Sequence, residues 1–146
     1  MEIDQSRHSM QEYNRLYAEE NNIYRSYAKK IGMSEASFWI IYYLRESGDS
    51  LAQNSLIRTM SLPKQTVNSS LKKMEAEGIL ILSSVEDRRV KQVTLTQKGI
   101  DIATKAVDPV FIREYSAMDE LDEQEQKQMI NLFRRYRQAL KNRMLE

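Results

Sequence analysis

Residues 61–98 restrict the fold more tightly than any other part of this chain. Within them, Val67, Leu71 and Met74 stand four and three residues apart, the period of a helix with one buried face. That spacing predicts a helix over residues 63–77, with Pro63 in its first turn and Gly78 ending it in the left-handed conformation. Ile79-Leu-Ile-Leu82 and Val90-Lys-Gln-Val-Thr-Leu95 are β-prone and flank a charged connection. They read as an antiparallel pair whose tip, residues 83–90, carries Asp87, Arg88 and Arg89. A helix followed at once by such a loop is the plan of a winged helix-turn-helix. The expected fold class is mainly α with a small antiparallel β-wing.

The flanking segments read as helices. Met10, Tyr13, Tyr17, Tyr24, Tyr27 and Ile31 form a heptad-like stripe along residues 5–30, widened by Leu16 and Ile23. Gly32 ends that helix and Ser34 caps the next, whose core is Phe38-Trp-Ile-Ile-Tyr-Tyr-Leu44. A short helix is expected from Leu51 to Met60, after the break at Gly48-Asp49-Ser50. Thr96 should cap a helix from 97 to about 117, with a kink or break just before Pro109. Asp122 and Glu125 have the spacing of a capping box for the last helix. Its stripe is Met129, Phe133, Tyr136, Leu140 and Met144. Both end stripes need another helix or another subunit to pack against.

At 146 residues the chain is one domain, or one domain with an oligomerisation module. It has no cysteine and a single histidine, His8, which argues against disulfides, thiol sensing and a metal site. No cofactor is expected. Met1-Glu-Ile-Asp-Gln lacks the basic start and apolar stretch of a signal peptide, and no apolar run is long enough to span a bilayer. A cytoplasmic location is expected. Gly-rich phosphate loops and catalytic clusters are missing, and acidic pairs such as Glu19-Glu20 read as solvated helix surface. The chain does not read as an enzyme.

The net charge of +1 hides an uneven distribution. Residues 1–57 hold 6 basic and 8 acidic side chains, 58–98 hold 8 and 4, and 99–146 hold 8 and 9. Positive potential is thus concentrated where the suspected reading helix and wing lie, as a polyanion-binding surface requires. A solvated basic face with no partner has similar composition. For double-stranded DNA, Lys64, Gln65, Thr66, Asn68 and Ser69 supply the groups that address base edges, and Lys72 and Lys73 would reach phosphates. An arginine at the β-tip can enter the minor groove, oriented by an adjacent aspartate.

These residues resemble the MarR family of bacterial transcriptional regulators. The resemblance rests on Thr66-Val67, on Leu71-Lys-Lys-Met-Glu-Ala-Glu-Gly78-Ile-Leu, on Asp87-Arg88-Arg89, and on Leu95-Thr-Gln-Lys-Gly99, and covers residues 34–99. Ser61 departs from a turn position where glycine is common, and Ala52 from a position where a polar cap is common. The resemblance implies an intertwined homodimer. Residues 1–33 would be the N-terminal dimerisation helix, 34–99 the DNA-binding lobe, and 100–146 the C-terminal helices completing the dimer core. It also implies a regulator, expected to be a repressor, that reads a pseudo-palindromic operator with half-sites about one helical turn apart. Arg89 would be the minor-groove arginine, Asp87 its orienting partner, and Arg88 a phosphate neighbour.

Many relatives of this type release DNA when a small aromatic acid or similar compound binds between dimer core and lobe. The matching segments here offer Tyr13, Tyr17, Tyr24, Phe38, Trp39, Tyr42 and Tyr43, of which Tyr13, Tyr17, Phe38, Trp39 and Tyr42 form the candidate effector pocket. Core and interface packing accounts for the same aromatics. The alternative function is a winged-helix dimer serving as a protein-interaction scaffold without DNA binding.

Overall fold

Side-chain caps and glycines set the element boundaries in the computed structural model, which describes residues 3–84 and 90–145. Helix α1 (Ile3–Lys30) stops before Gly32, whose φ of +74° only glycine adopts freely. Helix α2 (Glu35–Glu46) starts from Ser34, whose hydroxyl accepts the Ser37 N–H at 3.1 Å. Then come β1 (Ser50–Ala52), α3 (Gln53–Thr59), α4 (Lys64–Ala76), β2 (Leu80–Ser84) and β3 (Lys91–Leu95). Helices α5 (Gln97–Ala106), α6 (Asp108–Met118) and α7 (Glu123–Met144) complete the chain. The expected capping box is present: Glu125 N–H donates to Asp122, and Asp122 N–H donates to the Glu125 carboxylate, both at 2.9 Å.

The strands form an antiparallel sheet in the order β1-β3-β2, with Val93 opposite both Leu51 and Leu82. Strand β1 corrects the expectation of a helix beginning at Leu51. Asp49 adopts φ +74°, and its carboxylate accepts two hydrogen bonds from Arg45 Nη1, each 3.0 Å. Its carbonyl accepts the Leu95 N–H at 2.9 Å, which starts residues 50–52 along β3 before α3 begins.

The chain divides into two units, Met1–Val107 and Asp108–Glu146. In the first, α2 supplies the centre of the core. Phe38, Ile40, Ile41 and Leu44 pack with Leu56, Val67, Leu71, Met74, Leu80 and Val93, none more than 1 % exposed. Burying each such side chain contributes about 1.5–3 kcal/mol. The Tyr27 hydroxyl donates to the Ala106 carbonyl at 2.8 Å, joining α1 to the end of α5. Further along α1, Leu16 and Ile23 are exposed. On its polar side Arg15 bridges Glu12 and Glu19, and that hydrogen bond holds the Glu12 carboxyl below its ordinary pKa.

Between α5 and α6 the predicted discontinuity is a break at Val107, because Pro109 has no N–H to give the Lys105 carbonyl. In the second unit, Val110 is the one buried hydrophobic among the described residues, and α7 buries none of its own. Among the described residues no helix is long and apolar enough to cross a membrane.

Candidate nucleic-acid interface

Helix α4 is held by its apolar row and exposes the rest. Val67, Leu71 and Met74 are buried, whereas Lys64, Gln65, Thr66, Ser69, Lys72 and Lys73 are exposed. Lys64, Gln65, Asn68, Ser69 and Lys72 line one shallow groove on the outer face. Thr66 and Lys73, seven residues apart, occupy a second exposed strip on the flank. So the seven residues predicted from sequence fall into a central stripe and a border.

Pro63 is the N-cap of α4 rather than its first helical residue, and its carbonyl accepts the Val67 N–H at 3.1 Å. Pro63 gives this end no side-chain cap, so the first backbone N–H groups of α4 lack the partner that a capping side chain would supply. Ala52 likewise gives α3 no side-chain cap. Asn68 is only half-exposed, and Gln53 of α3 donates Nε2 to its Oδ1 at 2.9 Å. Sequence reasoning did not single out Gln53, since a glutamine at a helix start carries no signal of a partner 15 residues away.

The far end of α4 is clasped by the Leu95-Thr-Gln-Lys-Gly99 segment. Thr96 Oγ1 donates to the Gly78 carbonyl at 2.5 Å, with the Ile79 carbonyl at 3.0 Å, and accepts the Gly99 N–H at 3.2 Å. Lys98, counted among the basic residues of this region, donates Nζ to the Glu77 carbonyl at 2.7 Å. It therefore caps the negative end of the helix dipole. Strands β2 and β3 pair out to Ser84 and Lys91. The expected wing residues Asp87, Arg88 and Arg89 lie outside the described residues.

A second concavity, of about 360 Å³, opens between α1, α2 and the turn that precedes α4. Tyr17, Asn21 and Arg25 line it from α1, Glu35, Trp39 and Tyr43 from α2, and Met60, Ser61 and Leu62 from the turn. Of the five aromatics expected in an effector pocket, Tyr17 and Trp39 line this cavity. Phe38 and Tyr42 are core residues at 0 % and 9 % exposure, and Tyr13 is not in the lining. Tyr43 takes a place there instead, its ring stacked on Trp39 at 5.6 Å. Arg25 Nε lies 3.5 Å from Glu35 Oε2 on the cavity wall. A ligand here would touch the turn that aims α4.

Comparison with known proteins follows the same lines. The profile of the MarR family matches residues 31–90. The HTH-type transcriptional regulator SarZ of Staphylococcus haemolyticus (strain JCSC1435) is 35 % identical over 103 residues, covering 68 % of this chain and 69 % of that protein. The fold resembles a MarR/EmrR family transcriptional regulator from Acinetobacter sp. ADP1, with TM-score 0.73, 24 % identity, and 96 % and 99 % of the two chains covered. It also resembles S. aureus MepR in a DNA complex, with TM-score 0.67, 19 % identity, and 88 % and 94 % covered.

Proposed function

The chain belongs to the MarR family of transcriptional regulators, which are not enzymes, and we propose that it acts as a homodimeric repressor of a pseudo-palindromic operator. In this reading α4 enters the major groove, with Lys64, Gln65, Thr66, Asn68 and Ser69 facing bases and Lys72 and Lys73 facing phosphates. In the same reading Arg89, with Asp87 as its orienting partner, would enter the minor groove, and Arg88 would lie beside a phosphate. The observation that carries it is the stripe of short polar and basic groups on the outer face of α4, backed by a fully buried row. A scaffold without DNA binding would have no use for it. MepR, with the same fold, is solved bound to DNA.

Binding to duplexes selected from the source genome, followed across ionic strengths, tests this. Lys72→Gln should weaken binding to every sequence and flatten the logarithmic salt dependence by about one unit per protomer. Arg89→Ala should also weaken all sequences. Gln65→Ala should change which sequence is preferred, by about 1–3 kcal/mol at the base pair it addresses. Unchanged affinity and selectivity in all three variants would dismiss the regulator reading.

The cavity between α1, α2 and the turn before α4 supports release by a small aromatic acid. Its aromatic walls suit a phenolic ring, and Arg25 can exchange Glu35 for an incoming carboxylate. Trp39 is the only tryptophan and lies in the lining, so its fluorescence should change as hydroxybenzoates are titrated. Arg25→Ala should raise the midpoint of that titration about tenfold, as loss of one charge-assisted contact does. A flat Trp39 signal throughout such a series would dismiss this class of effector.

A further inference from the structure

The outer face of α4 does not by itself decide what Asn68 offers to DNA. Asn68 lines the groove beside Lys64, Gln65 and Lys72, yet its Oδ1 is already taken by Gln53 Nε2 at 2.9 Å. A side-chain amide donates at one end and accepts at the other. With Oδ1 held from the protein side, Nδ2 is the end with no partner among the described residues.

Gln53 has no other evident task. Its Oε1 is buried and accepts no hydrogen bond among the described residues. A buried acceptor left unmade costs stability, and methionine would fill the same space without it. Glutamine is therefore the poorer residue for packing, and its one bond is the one that orients Asn68.

We propose that Gln53 is a specificity-determining residue that never reads a base itself but fixes the polarity of Asn68, so that Asn68 presents a donor to the major groove. The inference rests on the proposed reading role of α4. Guanine shows two acceptors in that groove, whereas cytosine shows only a donor. At the position addressed by Asn68 the protein should accordingly prefer guanine over cytosine, by about tenfold, the scale of one base contact. Glutamate at position 53 can only accept, so Asn68 would turn its Nδ2 inward and its Oδ1 toward the DNA.

The test is selection from randomised duplexes with the full chain as wild type, Gln53→Met, Gln53→Glu and Asn68→Ala. The position relaxed by Asn68→Ala marks the contact. There the wild-type guanine-to-cytosine ratio of about ten should fall to near one in Gln53→Met. In Gln53→Glu it should invert. Gln53→Met guards against a failed fold in the charged variant: it should melt no lower than wild type and bind random duplex equally. A ratio unchanged in Gln53→Met, or a wild-type preference for cytosine at that position, would overturn the proposal while leaving the reading helix in place. If Asn68→Ala relaxes no position, the base-reading role of Asn68 itself is wrong, and the proposal goes with it.

Discussion

Phe133→Glu is expected to leave a monomer in solution and to weaken operator binding by about 10²- to 10⁴-fold, the gain that linking two modules gives. Along α7, Met129, Ile130, Leu132 and Phe133 are between 41 % and 53 % exposed, and the helix buries no residue in its own unit. An apolar stripe of that length on a 22-residue helix needs a second surface to cover it. In the proposed dimer that surface comes from the partner protomer. A carboxylate at the centre of the stripe would be desolvated on association, at a cost of several kcal/mol. The helix itself should survive. Arg137 already lies over the Phe133 ring, 4.4 Å from its centroid, and would meet the new carboxylate one turn away. Circular dichroism should therefore be unchanged while light scattering reports half the mass. A variant that stays dimeric at micromolar concentration would remove α7 from the interface.

Gly99→Ala should lower stability by about 3 kcal/mol, the range for forcing an extra methyl into a packed site. For a unit of this size that is a fall in melting temperature of roughly 10 °C. A Cβ on Gly99 would collide with the Ile79 carbonyl oxygen, which is backbone and cannot swing aside. That oxygen also accepts the Thr96 N–H and the Thr96 hydroxyl, both at 3.0 Å, so moving it opens the clasp on α4. Loss of stability should consequently come with loss of DNA affinity beyond what the unfolded fraction explains. Gly78→Ala is the control. Nothing lies within 4 Å of a Cβ there, and the φ of +74° alone should cost about 1 kcal/mol. Equal melting temperatures for the two variants would contradict the close approach at Gly99.

What could be read in advance was local. Ser34, Thr96 and the Asp122–Glu125 pair cap helices because a side chain reaches a backbone N–H two or three residues on. Gly78 and Pro109 stop helices for equally local reasons of backbone geometry. Helix α4 was legible because its three buried residues recur with its own period. Strand β1 was not, since three residues carry no period and their partners lie 40 to 44 positions away. In α2, whose aromatics crowd almost every face, sequence could not divide Phe38 and Tyr42 from Tyr43. The first two fill the core and the third lines the cavity.

The amino-acid order alone therefore determined the succession of helices, the β2–β3 pair, the family and the basic outer face of α4, all written in patterns a few residues long. Tertiary structure decided which of those groups remain available. Lys98 is directed to the end of α4, Asn68 is half-engaged by Gln53, and Arg25 faces Glu35 across a cavity wall. Each of these is a pairing between segments brought together only when the apolar faces close on one another. No spacing within a single segment encodes such a meeting.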